Sequence, residues 1–201
     1  MPSIYQLKPA FQRLLRPLTH ALARAGVTAN QVTTAAVLLS FATGWCVWQF
    51  PAERWPWLLV PVFLFVRIAL NAIDGMLARE HGQKSRLGAL LNELGDVLSD
   101  AALYLPFSVL PAISPMLVVL IVLLATISEM TGVVAIQIGA SRRYDGPMGK
   151  SDRAFVFGAL GLALGMGVAP GGWINWLLGV VLALLVLTTL NRARKALVEN
   201  A

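Results

Sequence analysis

The chain alternates long apolar runs with short polar breaks, and that rhythm predicts helices. Apolar stretches of about 20 residues, the length that crosses a bilayer as a helix, recur at about 30–50, 55–79, 87–110, 115–140, 154–169 and 173–191. The breaks carry turn and charge signals: Pro51-Ala52-Glu53-Arg54, the polar run from Glu80 to Arg86, Pro111 and Pro115, the basic run from Ser141 to Arg153, and Pro170-Gly171-Gly172. Ahead of the first run, Ile4, Leu7, Phe11, Leu14, Leu18 and Leu22 recur at helical spacing against Lys8, Arg13, Arg16 and Arg24. That is the pattern of an amphipathic segment lying in the membrane interface, over about residues 1–26. Pro9 and Pro17 predict a bend or two short helices there. Thr28 is placed to cap the first span. The expected fold is therefore a single-domain, all-α membrane protein over residues 1–201, with six transmembrane helices preceded by an N-terminal interfacial segment.

Composition agrees with this and excludes a soluble core. Of 201 residues, 57% are hydrophobic and only 13% charged, against about 25% charged in soluble domains. The net charge of +6 points to a membrane surface rather than nucleic acid because of where it falls. Six spans put both termini on one side, together with Arg79, Lys84, Arg86, Arg142, Arg143, Lys150, Arg153 and the tail residues Arg192, Arg194 and Lys195; the other side has only Arg54. The positive-inside rule makes the basic side cytoplasmic. The six tryptophans, Trp45, Trp48, Trp55, Trp57, Trp173 and Trp176, all fall at the opposite ends of the spans, where indoles favour the interface. The single cysteine, Cys46, forms no internal disulfide.

One stretch breaks the apolar pattern. Between residues 71 and 100, inside two neighbouring spans, stand Asp74, Glu93, Asp96 and Asp100. Asn71, Asp74 and Ala78 share one helix face, and so do Gly88, Asn92, Asp96 and Asp100. A short turn makes the two helices antiparallel neighbours, so these faces converge near the cytoplasmic surface. An acid at the centre of a span costs about 2.5–3.5 kcal/mol, and several would repel one another without a cation between them. Clustered hard oxygen ligands suit Mg²⁺ or Mn²⁺, one ion or two, with a substrate's phosphates sharing the coordination. Gly75, Ala78 and Gly88 flank the acids and leave space for a ligand to approach backbone, although small residues at such spacing also serve helix packing. Arg67, two turns before Asp74, is expected to pair with Asp100 or Glu129. Gly161-x-x-x-Gly165 allows close packing, within the fold or between copies. An ion or proton pathway would also use intramembrane acids, but it has no need of the glycine and alanine spacing.

Asp74-Gly75-x-x-Ala78-Arg79, eight residues, then Gly88-x-x-x-Asn92-x-x-x-Asp96 resembles the signature of the CDP-alcohol phosphotransferase (phosphatidyltransferase) family, D-x-x-D-G-x-x-A-R-x8-G-x-x-x-D-x-x-x-D. The segment from Gly26 to Thr33 resembles the family's entry to its first span, with Ala29 where proline is usual. The resemblance implies a membrane enzyme of phospholipid biosynthesis. Such an enzyme moves a substituted phosphate from a CDP-linked alcohol, commonly CDP-diacylglycerol, to an acceptor hydroxyl and releases CMP. It implies that Asp74, Asp96, Asn71 and Asn92 hold the metal, and that Asp96 is the general base. Asp74, Gly75, Ala78, Arg79, Gly88 and Asn92 would meet the nucleotide donor. Arg142, Arg143 and Lys150 would form a basic pocket for an acceptor such as glycerol 3-phosphate. A homodimer is implied too. Two of the four signature acids are asparagines here, Asn71 and Asn92, which removes two negative charges. Asp100, one turn from Asp96 on the same face, is the candidate substitute ligand, with Glu93 a weaker one. A non-catalytic protein that keeps the CDP-lipid site for binding or assembly is the alternative.

Overall fold

In a computed structural model the protein is helical throughout, and residues 4–199 are described. Residues 1–3 of the expected interfacial segment, residues 200–201, and the side chains of residues 4–8, with Ile4, Leu7 and Lys8 of the amphipathic stripe, lie outside the described residues. Seven α-helices follow in order: α1 (Ile4–Arg24), α2 (Ala29–Gln49), α3 (Trp55–Glu80), α4 (Arg86–Tyr104), α5 (Pro115–Val134), α6 (Lys150–Gly165) and α7 (Gly172–Glu199). Single turns of 3₁₀-helix extend α4 over Leu105–Val109 and α5 over Ala135–Ile138.

Four of these helices are long and apolar enough to cross a membrane: α2, α3, α5 with its extension, and α7. The other two expected spans form as helices but fall short by length or composition. The α4 helix carries Glu93, Asp96 and Asp100, and α6 has 16 residues with Lys150, Asp152 and Arg153 in its first turn.

The α1 helix is continuous through Pro9 and Pro17, so the segment is one helix and not two short ones. Each proline removes one backbone bond, and tertiary packing offsets the loss. Leu15, Leu22 and Ala23 rest on Ile73, Met76 and Leu77 of α3, and Arg16 Nε and Nη2 donate to Glu80 at 3.1 and 2.9 Å. The face of α1 that carries Leu14 and Leu18 stays exposed.

The α2 helix buries small and polar residues (Thr33, Ala36, Ser40, Thr43, Gly44) and turns Leu38, Phe41, Trp45 and Trp48 outward. This inversion of the soluble pattern is what lipid as the solvent selects. Small residues bring helices together, and lipid takes the large ones. Thr28 caps α2 as expected, in a reciprocal box with Gln31. The turn between α3 and α4 is tied to that same end, because Gln83 Oε1 accepts from Ala29 N at 2.7 Å. Ser85 caps α4 by accepting from Gly88 N at 2.9 Å.

The α3 helix packs on α2 and α6, α2 on α4, and α5 on α7. Gly161 and Gly165 of α6 face α3, where added Cβ atoms would press on Val60 and Leu58. The small-residue spacing of α6 therefore serves the fold of one chain. The apolar core runs from Trp57 and Phe63 through Tyr104 and Phe107 to Phe157 and Leu178, and its Val122 and Ala125 share a cavity wall with Asp96, Asp100 and Glu129.

A Cβ on Gly44 would overlap the backbone carbonyl of Ala102. Helix propensity alone predicts that Gly44→Ala gains about 0.8–1.0 kcal/mol, whereas overpacking costs about 1–3 kcal/mol. The contact is expected to win, and the melting temperature of the detergent-solubilised variant should fall.

Candidate functional site

The polar faces of α3 and α4 meet as their spacing requires. On α3, Asn71 and Asp74 lie one turn apart. Asp74 is buried and its Oδ2 accepts from the Thr33 hydroxyl of α2 at 2.8 Å. Across from it, Asp96 of α4 is partly exposed. Its Oδ1 accepts from Asn71 Nδ2 at 3.3 Å and is paired with the Lys150 ammonium. Asp74 is close enough to Asp96 and Lys150 to interact with both electrostatically. Because Asn71 spends its amide N–H on Asp96, its amide oxygen remains an acceptor.

Asp100 lies one turn deeper and is fully engaged. Oδ1 accepts from Arg67 Nη1 at 2.6 Å, and Oδ2 from Arg153 Nη2 and Nε at 2.9 and 3.2 Å. All three residues are buried. Arg67 also donates through Nη2 to the Asp96 carbonyl at 2.9 Å. The expected partner of Arg67 is thus Asp100, not Glu129. Asp100, expected as a substitute metal ligand, instead has both oxygens occupied by guanidiniums. Glu93 likewise points at Arg142 and forms an ion pair with it.

The oxygen donors that the structure brings together are Asp74 and Asp96 with the amide of Asn71; Asn92 is half-buried one turn before Asp96 on α4. Among the described residues no three histidine, cysteine or acidic side chains are grouped to hold a metal by themselves. Two carboxylates with amide oxygens do fit a divalent ion whose shell is completed by substrate phosphates, the usual way Mg²⁺ is held.

Around the donor set, Arg79 folds back over Gly75, where a Cβ would come within 3.0–3.1 Å of its guanidinium nitrogens. Ala78 is half-buried one turn after Asp74. Gly88 lets Asn30 of α2 approach, since a Cβ there would sit 2.8 Å from Asn30 Oδ1. Packing is the use of Gly88 that the contacts show.

Of the three expected acceptor residues, Lys150 and Arg142 reach the site and Arg143 does not. Arg143 turns to the surface, donating to Asp145 at 2.9 Å and Glu199 at 2.6 Å. There the Lys195 ammonium, with the Arg143 guanidinium, holds the Asp145 carboxyl below the usual carboxylate range. The structure adds two buried cations, Arg153 and Arg192, and the acid Glu129 of α5 that faces them. Sequence reading placed Arg153 and Arg192 only among the surface-side basics. The signal for them was available, because each sits at helical spacing among apolar residues.

A model of the CDP-alcohol phosphatidyltransferase family matches residues 26–191. The inner membrane protein YnbA of Escherichia coli K12 is 47% identical over 199 residues, spanning 99% of this chain and 98% of that one. The phosphatidylinositol phosphate synthase of Mycolicibacterium smegmatis is 35% identical over 108 residues, 52% of this chain and 46% of its own length. Among solved structures, phosphatidylinositol phosphate synthase of Mycobacterium tuberculosis with CDP-DAG bound superposes with a TM-score of 0.76, at 19% identity over 92% of this chain and 94% of that one. The same enzyme in complex with manganese and citrate gives 0.73. These two likenesses are likenesses of fold.

Removing one partner of a buried ion pair leaves an uncompensated charge and costs about 3–5 kcal/mol. Arg67→Ala is therefore expected to melt well below the parent protein. Adding Asp100→Asn should recover part of the loss, and the four melting temperatures of the double-mutant cycle check the coupling.

Proposed function

The chain belongs to the CDP-alcohol phosphatidyltransferase family, and on that premise we propose that it transfers the phosphatidyl group of CDP-diacylglycerol to an acceptor alcohol and releases CMP. The observation that carries the reading is the convergence of Asn71 and Asp74 from α3 with Asp96 from α4 behind the small residues Gly75 and Ala78. In the transfer the acceptor oxygen bonds to the lipid-linked phosphorus as that phosphorus releases CMP, and the acceptor's proton goes to a base. Asp96 is that base. It is the partly exposed acid of the group, and its carboxylate is oriented by Asn71 and Lys150. Gly75, Ala78 and Arg79, with Asn92, face the nucleotide half of the donor. Asp74, Asp96 and the amide oxygens of Asn71 and Asn92 would hold Mg²⁺ or Mn²⁺, which would supply stabilisation of charge on the diphosphate. The buried Asp100, tied to two guanidiniums, belongs to the scaffold. The acceptor enters on the α4, α5 and α6 side, where Lys150 and Arg142 are.

The membrane placement completes the reading. Helices α2 to α7 cross an inner membrane six times, and α1 lies along the interface with Leu14 and Leu18 toward lipid. Both termini and the site are cytoplasmic. The clustering of basic residues at the site end and of tryptophans at the other supports this. Assembly is as a homodimer, as the family resemblance implies. A C-terminal alkaline phosphatase fusion should be inactive, because the enzyme folds only outside the cytoplasm.

Purified protein given CDP-diacylglycerol, Mg²⁺ and a panel of alcohols should release CMP. Asp96→Asn should lower the rate by about 10²–10⁴-fold, the range for a lost general base. No CMP with any alcohol, with CDP-lipid binding retained, would instead favour a binding protein. With two of four signature acids replaced by amides and Lys150 paired with Asp96, Mn²⁺ titration followed by electron paramagnetic resonance should count one tightly bound ion per chain once CDP-diacylglycerol is present, and only weak binding without it. Asn71→Asp with Asn92→Asp should raise the count to two.

A further inference from the structure

Glu129 stands in α5 where a basic acceptor pocket is expected. Its Oε1 accepts from Arg153 Nη2 at 3.1 Å, and its Oε2 lies 3.2 Å from Arg192 Nη1 and 3.7 Å from Arg142 Nη2. One carboxylate thus holds three guanidiniums from α6, α7 and the loop between α5 and α6. An acid inside a span is costly unless it is paired, so its place among the arginines is as much built as theirs.

The arginines have little left to offer another anion. Arg153 gives Nε and Nη2 to Asp100 and Nη1 to the Met148 carbonyl at 3.3 Å. Arg192 gives Nη1 to the Ser128 carbonyl at 2.7 Å and Nε to the Asp145 carbonyl at 3.3 Å. Arg142 is shared between Glu93 and Glu129. A phosphate monoester is recognised by free guanidinium forks; here every guanidinium nitrogen of Arg153 is engaged, and of Arg142 only the buried Nε is left without a partner. The count of charge agrees. Five inward cations (Arg67, Arg142, Lys150, Arg153, Arg192) stand against five acids (Asp74, Glu93, Asp96, Asp100, Glu129).

The position of Glu129 gives this balance a consequence for the reaction. A cavity of about 10 Å³, close to the room one water needs, is bounded by Asp96, Lys150, Arg153, Thr126 and Glu129. An acceptor that reaches Asp96 from this side meets the Glu129 carboxylate.

We propose that Glu129 determines acceptor specificity by holding phosphate out, so that the acceptor is an alcohol with no phosphate of its own. This deepens the transferase reading and rests on it. A phosphorylated acceptor would have to displace Glu129 from three arginines and add its own negative charge to a balanced site. A neutral polyol or an amino alcohol adds none. The glycerol 3-phosphate pocket expected from the basic loop is thereby replaced by a pocket that carries its own counter-anion.

The test uses the full-length protein with CDP-diacylglycerol and Mn²⁺. Initial CMP release is compared for glycerol, myo-inositol, serine and ethanolamine against glycerol 3-phosphate and an inositol phosphate. The unphosphorylated set is expected to be favoured at least about tenfold, the scale on which unpaired charge discriminates. Inorganic phosphate at millimolar concentration should leave the melting temperature of the parent protein unchanged. Glu129→Gln frees the arginines and should acquire phosphate-dependent stabilisation, whereas Glu129→Asp, which keeps the charge, should not. Faster turnover of glycerol 3-phosphate, or stabilisation of the parent protein by inorganic phosphate, overturns the proposal even if the glutamine variant does not fold. Failure of the transferase reading is distinct: no alcohol then yields CMP, and the phosphate measurements still decide the role of Glu129.

Discussion

Asp100 between Arg67 and Arg153 is the constraint on which the rest of the site depends. Three charged side chains are buried together where α3, α4 and α6 meet. None is tolerable alone in that surrounding, so the three helices hold one relative position or leave a charge unpaired. Arg67 passes the constraint on, because its second guanidinium nitrogen grips the Asp96 carbonyl. The backbone that carries Asp96 is thereby fixed from behind, while its carboxylate stays partly exposed. An ion triad buried one turn below Asp96 thus holds the three helices in place, with Arg67 Nη2 also 3.5 Å from Asp96 Oδ1.

The polar interior divides into two halves joined by Asp96. On the α3 side stand Asp74 and Asn71, an oxygen-donor set short of negative charge. On the α5, α6 and α7 side stand Glu129 and the arginines, a cation-rich set whose charge is already met. Lys150 bridges them, since it starts α6 and pairs with Asp96. Where the resemblance supplies two further acids, the chain has amides. Where the resemblance implies an open basic pocket, the chain has Glu129. Both departures change charge and leave the helix geometry alone, which is consistent with the whole-chain fold likeness at only 19% identity.

Local spacing was enough to bring Asn71 and Asp74 together with Asp96, because residues three and four apart share one helix face. It was also enough for the Thr28 cap and for the pairing of Arg67 with an acid. It was not enough for the fate of Asp100. One turn beyond Asp96, it looked like a spare ligand, and only the arrival of Arg153 from α6, 53 residues later, shows it to be spent. Glu129, Arg153 and Arg192 lie on three different helices, so their meeting is a product of tertiary packing that no periodicity reports. Pro9 and Pro17 misled for a related reason. Proline's local cost is real, but α1 is held by its contacts along α3.

Charge neutrality connects the two halves of the site. At rest the five inward cations and five acids balance, and Lys150 is committed to Asp96. A divalent ion entering alone would meet Lys150 and Arg67 beside the same carboxylate and be repelled. A diphosphate donor entering alone would meet Asp74 and Asp96 with two fewer compensating positions than a fully acidic signature would give its metals. Entering together, cation and diphosphate cancel, and the interior takes them up without a net change of charge in a medium where such a change is expensive. The same rule then governs the acceptor. Once the donor and its metal are seated, an uncharged alcohol can reach Asp96 at no electrostatic cost, and a phosphorylated one cannot unless Glu129 yields its three arginines. The asparagines and Glu129 are therefore two expressions of one condition: the site stays neutral at each step of filling.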